Sequence, residues 1–164
     1  MPEDDATVAE LVQAYVAEAN PRLLALAGRT IVSADKAQAL SWVASSRAEG
    51  ALALLVTCAK SALGTGTLRQ LDPGISEIKR MYLRPEARGS GIGGALLDRL
   101  VAEARARGSY AVRLDSAPFQ LQAHVLYRSH GFVEREPYPG NETPAELLAV
   151  WRFFELRLTP DTAR

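Results

Sequence analysis

Apolar residues at helical spacing dominate the start of the chain. Residues 8–19 place apolar side chains every three or four positions, which predicts an amphipathic helix. Asn20-Pro21 should end this helix, because the residue before a proline is pushed out of helical geometry. A second helix is predicted over residues 35–45, with Ser33 as its N-cap. Residues 23–32 carry no clear pattern and stay unassigned.

A strand pattern follows these helices. Residues 51–58 form a continuous apolar run and residues 62–71 a weaker one, which predicts two strands. Asp72-Pro73-Gly74 is a strong turn signal, and residues 76–83 are predicted to form a third strand. Because short turns join these strands, we expect them to form an antiparallel meander.

The second half of the chain alternates between the two patterns. The clearest helix covers residues 91–107, with Gly108 as its C-terminal stop. The elements predicted after it are a strand at 110–114, a helix at 119–129, a strand at 132–135, a Pro- and Gly-rich loop at 137–144 and a last strand at 148–158. Without an internal repeat or linker, this order predicts one mixed α/β domain over residues 1–164.

The charge balance narrows the set of partners. The 164 residues carry 19 basic and 19 acidic side chains, so the formal net charge is zero. Such a chain lacks the long-range field that attracts nucleic acid or an anionic membrane, and we expect neither partner. Cys58 is the single cysteine and lies in an apolar run, so we expect a buried thiol. His124 and His130 are expected at the surface of the last helix, and we expect no metal site.

The N-terminal residues bear on location. Pro2-Glu3-Asp4-Asp5 is acidic and lacks the basic and apolar regions of a signal peptide. No apolar run approaches the ~20 residues that a membrane-spanning helix needs. We therefore expect a soluble, cytoplasmic protein.

The most informative stretch is a glycine-rich turn that lies between a strand and the clearest helix. It consists of Arg88, Gly89, Ser90, Gly91, Ile92, Gly93 and Gly94. Glycines allow a ligand to approach the backbone and leave amide hydrogens unobstructed. The helix that begins here adds unpaired N–H groups and the positive end of its dipole. The turn therefore predicts a pyrophosphate site.

The same turn leaves two alternatives open. Gly89, Gly91 and Gly94 fit the dinucleotide pattern, and Asp115 follows where such a site keeps its ribose-binding acid. Against this, five residues separate the strand from Gly89, a meander precedes the turn, and only about fifty residues follow Asp115, too few for the rest of a doubly wound sheet. The other alternative is a turn that binds no ligand, which is disfavoured because each unneeded glycine weakens the start of a helix.

Residues 77–132 resemble the GNAT N-acetyltransferase superfamily. Residues 88–93 match its acyl-CoA signature, Gln/Arg-x-x-Gly-x-Gly/Ala. Residues 77–85 resemble its fourth strand and the loop after it. Residues 123–132 resemble its second block, Ala-x-x-Leu-Tyr-x-x-x-Gly-Phe. Two blocks in the right order, with one strand between them, are far more specific than either alone.

The resemblance implies a mixed, mostly antiparallel sheet of six or seven strands, splayed between the fourth and fifth and flanked by about four helices. Acetyl-CoA would be the cosubstrate, with its pantetheine arm in the gap and its pyrophosphate on residues 88–94. Met81, Tyr82 and Leu83 would offer backbone groups to pantetheine. Gln120 stands where many members carry an asparagine that contacts it.

The resemblance also implies transfer of the acetyl group to a primary amine by direct attack in a ternary complex. Tyr127 matches the tyrosine that protonates the departing thiolate, and its alternative is a core tyrosine. Glu77 lies where several members carry a base, and its alternative is a carboxylate at a strand end. A base is needed because an alkylamine, with a pKa of about 10.4, is mostly protonated at neutral pH.

The acceptor amine is not identified by the sequence. Polyamines, aminoglycosides, amino acids and peptide N-termini all stay open, and the acids of the loop at 137–142 would suit a cationic amine. Trp151 and Phe153 share one face of the last strand, where we expect core or homodimer packing. A protein that binds acyl-CoA without turnover, as a sensor, is the alternative function.

Overall fold

The computed structural model describes residues 2–28 and 35–158. Helix α1 spans Pro2–Ala27 and continues through Pro21, so the predicted end at Asn20-Pro21 is wrong. An internal proline costs a helix about 3 kcal/mol. Ala19 and Leu23 are both buried on either side of it, and burying a leucine contributes about 1.5–3 kcal/mol. Packing of the last turns therefore offsets the cost of the proline.

Helix α2 spans Lys36–Ala48 and follows the prediction within a few residues. Its N-cap is Asp35, whose carboxylate accepts hydrogen bonds from the N–H groups of Ala37, at 2.7 Å, and Gln38. The predicted cap, Ser33, lies outside the described residues.

Six strands form a single sheet among the described residues. They are β1 Leu52–Cys58, β2 Ser61–Asp72, β3 Ile75–Leu83, β4 Ala111–Ser116, β5 Val133–Arg135 and β6 Arg152–Arg157. Their order across the sheet is β1-β2-β3-β4-β6-β5, with β3 and β4 parallel and every other pair antiparallel. The predicted meander corresponds to β1, β2 and β3. The expected mixed, mostly antiparallel sheet is therefore confirmed.

Two further helices complete the layers around the sheet. Helix α3 spans Ile92–Ala106 and α4 spans Leu121–Ser129. The apolar face of α3 packs on the sheet around Leu97, Leu100 and Leu114. Helices α1 and α2 bury a second apolar cluster against β1, around Val8 and Val43. No helix within the described ranges combines the length and apolar character needed to cross a membrane.

Cys58 is exposed, so the expectation of a buried thiol is wrong. It is the last residue of β1, where the strand runs past the helices that cover its earlier residues.

The parallel pairing of β3 and β4 is short. It joins residues 75–78 to residues 111–114 and ends there. Beyond Ile78, β3 stays paired with β2 through an irregularity between Thr65 and Thr67. The sheet therefore opens between its third and fourth described strands. The resemblance counted these as fourth and fifth, because that family usually begins with a strand before its first helix, whereas the first described element here is α1.

Candidate active site

A pocket of about 620 Å³ lies beside the end of β3. Seven of the residues predicted from the sequence line it, namely Met81, Tyr82, Leu83, Arg88, Gly89, Gln120 and Tyr127. These residues come from three separate segments: the end of β3, the glycine-rich turn and the region of α4. Ser90, Gly91, Ile92, Gly93 and Gly94 continue from Gly89 into the first turn of α3. Glu77 is the one predicted catalytic residue that does not line the pocket within the described part of the chain.

The glycine-rich turn has the geometry of an anion site. Gly89 and Gly91 have φ angles of 75° and 83°, a left-handed conformation in which a side chain is strained. A Cβ on either residue would find no heavy atom within 4 Å, so the space beside the backbone is open. Gly91 is the N-cap of α3, and the first N–H groups of a helix have no intrahelical partner. An approaching pyrophosphate would find these donors and the positive end of the helix dipole.

Close packing against α4 explains why residues 93 and 94 are glycines. A Cβ on Gly93 would lie 3.4 Å from Leu126, and one on Gly94 would lie 3.2 Å from His130. Both contacts are with α4 or its C-cap, so the missing side chains allow α3 and α4 to approach closely. Cofactor binding by these two residues stays a prediction.

Arg88 is held by a carboxylate of α1. Its Nη1 lies 2.9 Å from Glu18 Oε1 and its Nη2 lies 2.7 Å from Glu18 Oε2, a bidentate pair. The hydrogen bond from Arg88 lowers the pKa of Glu18 below its ordinary value. The pair ties α1 to the start of the glycine-rich turn.

Sequence reasoning missed the contribution of α1 to the pocket. Tyr15, Glu18, Ala19 and Arg22 line it at spacings of three and four, which is one helix face. The signal was present, since this face continues the apolar stripe that begins at Val8. The sequence pattern predicts this helix face only over residues 8–19, because Asn20-Pro21 is expected to end the helix.

Tyr127 is almost buried, at 7% exposure, and its ring packs against Phe132 and Phe154 at centroid distances of 6.1 and 5.6 Å. Burial raises the pKa of Tyr127 well above the ordinary value of a phenol. The hydroxyl is therefore protonated around neutral pH, which is the state that a proton donor needs. Tyr15 lies in the same pocket, and burial and the charge of Asp115 raise its pKa.

Gln120 is fixed by its own strand–helix junction. Its Oε1 accepts hydrogen bonds from Ser116 Oγ, at 2.8 Å, and from the Ala117 N–H, at 3.0 Å. Ser116 Oγ lies 3.0 Å from His124 Nε2, and because the hydroxyl donates to Gln120, the histidine is the donor here. His124 is buried, so its predicted surface position is wrong. It belongs to the network that orients Gln120, and burial lowers its pKa.

Glu77 is fully buried, and both of its carboxylate oxygens have partners. Oε2 accepts from Arg69 Nε at 2.5 Å, and Oε1 accepts from the Tyr138 hydroxyl at 2.8 Å. These two contacts explain why a carboxylate is buried at this position without any role in binding a substrate. Its role as a base stays a prediction.

Asp115 is committed to contacts within the chain. Its Oδ1 accepts from Lys79 Nζ at 2.7 Å and its Oδ2 accepts from Trp151 Nε1 at 2.8 Å. The carboxylate that a dinucleotide site would direct to a ribose is thus occupied by two donors. Phe153 is buried and packs edge-on against the Tyr138 ring, so core packing is confirmed for this residue. A homodimer stays a prediction.

Comparison with known proteins identifies a family that matches this chain. The sequence model of the acetyltransferase (GNAT) family matches residues 31–132. An "IAA acetyltransferase" of Azospirillum brasilense is 39% identical over 94 residues, which cover 57% of this chain and 58% of that protein. The chain aligns with between 31% and 58% of the length of the curated relatives that it matches. Because the family match spans more than half of its residues, this chain belongs to the GNAT acetyltransferase family.

Solved structures show the same fold. An acetyltransferase of the GNAT family from Staphylococcus aureus is 20% identical with a TM-score of 0.68, covering 90% of this chain and 93% of that one. The PaiA N-acetyltransferase of Thermoplasma acidophilum, solved in complex with coenzyme A, is 19% identical with a TM-score of 0.66, covering 96% of this chain and 94% of that one. At these identities the likeness establishes the fold alone.

We expect Gly91→Val to weaken coenzyme A binding at least about tenfold, or about 1.4 kcal/mol, because the side chain fills the open space beside the turn. The matched control is Gly108→Val, at the other end of α3, where φ is 77° and the space is equally open. Both variants should lose about 1–2 kcal/mol of stability to the left-handed backbone. Calorimetric titration measures affinity and urea unfolding measures stability. If both variants bind coenzyme A equally well, the turn is not the phosphate site.

We expect Glu77→Gln to lower the free energy of unfolding by about 3 kcal/mol, because it leaves Arg69 without its buried counter-ion. Glu136→Gln, an exposed residue, is the control and should change stability by about 0.5 kcal/mol or less. Urea unfolding checks both. A Glu77→Gln protein as stable as the Glu136→Gln protein would contradict the structural role. A folded Glu77→Gln enzyme that loses the acidic limb of the parent's rate profile would instead identify the base.

Proposed function

We propose that this protein transfers an acetyl group from acetyl-CoA to a primary amine by direct attack in a ternary complex. The observation that carries this proposal is the free edge of β3. Beyond Ile78 this edge no longer pairs with β4, yet its residues Met81–Leu83 line the pocket next to the glycine-rich turn. An extended chain with amide groups, such as pantetheine, would pair there as an added strand.

The residues fit the two ends of such a ligand. The turn at residues 88–94 offers backbone donors to a pyrophosphate, and Arg88 adds a cation at its edge. The opening between β3 and β4 offers the unpaired backbone groups of β3 to the pantetheine arm. Gln120, whose oxygen is already engaged, donates one amide N–H to Tyr15 and has its other N–H to offer to the arm.

The reaction requires two groups from this chain, a proton donor for the sulfur and a base for the amine. Acetyl-CoA supplies an activated thioester, whose carbonyl carbon the neutral amine attacks as the carbon–sulfur bond breaks. Tyr127 would donate its hydroxyl proton to the departing sulfur, and the proton that the nitrogen loses as the amide forms would restore the hydroxyl. The amine must first lose a proton, for which Glu77, directly or through water, is the predicted base. Its pairing with Arg69 and Tyr138 favours the alternative of a structural carboxylate, and the pH profile of Glu77→Gln separates the two.

Two other functions are kept as alternatives. A non-catalytic acyl-CoA sensor would use the same cradle without turnover. A dinucleotide-binding protein is less favoured, because family membership and the contacts of Asp115 both argue against it.

We expect acetyl-CoA, and not NAD, to raise the thermal unfolding midpoint, since a ligand stabilises the state that it binds. We further expect thiol release from acetyl-CoA to depend on an added amine, scored across a panel of small and peptide amines. Stabilisation by acetyl-CoA with no amine-dependent release would favour the sensor. Stabilisation by NAD alone would refute the proposal.

We expect Tyr127→Phe to lower kcat about ten- to a thousandfold while KM for acetyl-CoA stays nearly unchanged, because only the hydroxyl is lost and the ring still packs. Because burial raises the pKa of Tyr127, the loss should be the same factor across about pH 6–9. Steady-state kinetics and thermal unfolding check this. A destabilised variant with normal kcat would identify a core tyrosine instead.

A further inference from the structure

Three cations converge on one carboxylate near α2. Arg69, Lys79 and Arg80, which we call the three-cation cluster, surround Glu142 of the loop between β5 and β6. Arg69 Nη1 lies 3.4 Å from Glu142 Oε1, and Lys79 Nζ and Arg80 Nη2 each lie 3.6 Å from Glu142 Oε2. The Glu142 side chain is 48% exposed, so the carboxylate enters from the solvent side.

Two of these cations have a closer partner elsewhere. Arg69 binds Glu77 at 2.5 Å, and Lys79 binds Asp115 at 2.7 Å. For Arg80, Glu142 is the one carboxylate within 4 Å among the described residues. The guanidinium of Arg80 otherwise lies over the Trp42 ring of α2. Three cations and three carboxylates balance here, and withdrawal of Glu142 would leave one uncompensated positive charge, at Arg80.

Both the backbone conformation and the burial of Arg80 are energetically unfavourable. Its φ is +52°, a left-handed conformation that is strained for a residue with a side chain. Burial lowers its pKa to about 10, so the surroundings disfavour its charged form. Nothing in the sheet requires an arginine there, since glycine or asparagine would adopt the same left-handed conformation with less strain.

The cluster is connected to the pocket through strand β3. Arg80 immediately precedes Met81, the first residue of β3 on the pocket wall. Asp115, which binds Lys79, lies close enough to influence the pKa of both pocket tyrosines, Tyr15 and Tyr127. None of the three cations lines the pocket among the described residues, but a small molecule held by the cluster would lie next to the pocket wall at Met81.

We propose that the three-cation cluster binds a carboxylate of the acceptor, so that the substrate is an amine that also carries a carboxylate, as an amino acid does. Glu142 holds the place of that group in the free protein. Its contacts of 3.4–3.6 Å are longer than the 2.7–2.9 Å of a good charged hydrogen bond, and its loop is open to solvent. An incoming carboxylate could bind Arg80 with two parallel hydrogen bonds where Glu142 makes one long contact.

This inference rests on the proposed acetyl transfer and reverses the expectation that the acids of the loop attract a cationic amine. Glu142 already faces three cations, so its negative charge is not free to attract a fourth. A polyamine would find no uncompensated carboxylate in this cluster.

The test compares each of the standard L-α-amino acids with its own carboxamide as acceptor. The amide has the lower amine pKa and is the more reactive at neutral pH, so any preference for the acid must come from recognition. We expect the preferred acid to have a KM at least about tenfold below that of its amide. Arg80→Gln should abolish this difference, and Arg80→Lys should keep part of it.

Glu142→Gln tests the same idea without altering the strained position. It should lower KM for the preferred acid several-fold, because the competing carboxylate is gone, and it should not lower KM for the amide, which has no carboxylate to take its place. Glu136→Gln, which removes an exposed charge from the start of the same loop, should change neither. Equal use of acids and amides, or a Glu142→Gln variant that weakens the acid, would overturn the inference while leaving acetyl transfer intact.

If no amine is acetylated although coenzyme A binds, acetyl transfer fails and the cluster is tested by binding alone. Calorimetric titration of the amino acids into the coenzyme A complex then decides. Binding that weakens at least about tenfold in Arg80→Gln supports the cluster, and absence of binding by every amino acid overturns it.

Discussion

The early separation of β3 and β4 governs the rest of this structure. Their ladder ends at Ile78 and Leu114, and from there β3 follows β2 alone. The cause is local, since Thr65 and Thr67 pair with Tyr82 and Lys79, so that β3 has two residues where β2 has only Gly66. A bulge of this kind bends the strand and increases its twist. The free edge, the pocket beside it and the exposed turn before α3 all follow from that bend.

Gly66 allows the bulge to lie under a packed helix. A Cβ at this position would come within 2.8 Å of the Leu100 side chain of α3. Helix α3 therefore packs directly on Gly66, the short side of the bulge. Its N-terminus places the glycine-rich turn beside the opening between β3 and β4. The same bend turns Arg80 toward α2, so one irregularity places both the free backbone of β3 and the cation that follows Lys79.

The parts of the site that the sequence predicted are those encoded by contiguous residues. The turn at residues 88–94 and the block at residues 123–132, which contains Tyr127, could be recognised because spacing within a few residues determines a turn or a helix face. The strands of the meander followed from their apolar runs and their turns. In each case local backbone geometry and the tertiary fold agree, so the pattern sufficed.

The parts that were missed depend on distant partners. Pro21 predicts a helix end, and only the burial of Leu23 in the folded chain outweighs it. His124 has the spacing of a surface residue, but in the fold it bonds the hydroxyl of Ser116 and its ring packs against Phe154. Glu77 pairs with Arg69 on the neighbouring strand of its hairpin, but it also accepts from Tyr138 of a late loop, a contact that no local pattern contains. Such pairings are set by the sheet order, which a single sequence does not encode in any short window.

Both ends of the site are neutralised by carboxylates of the chain itself. Glu18 binds Arg88 beside the glycine-rich turn, and Glu142 faces Arg80 beside Met81. A cation kept ready for an anion is costly while the site is empty, because part of its hydration is lost and nothing compensates it. A mobile or half-exposed carboxylate removes that cost and can still be displaced, since an exposed ion pair contributes only about 0–1 kcal/mol. The pair of Arg69 and Glu77 cannot be exchanged in this way, because Glu77 is fully buried and separating the pair would leave its charge in the interior. Exposure thus divides the ion pairs of this site into those that hold the fold together and those that, on our proposal, a substrate replaces.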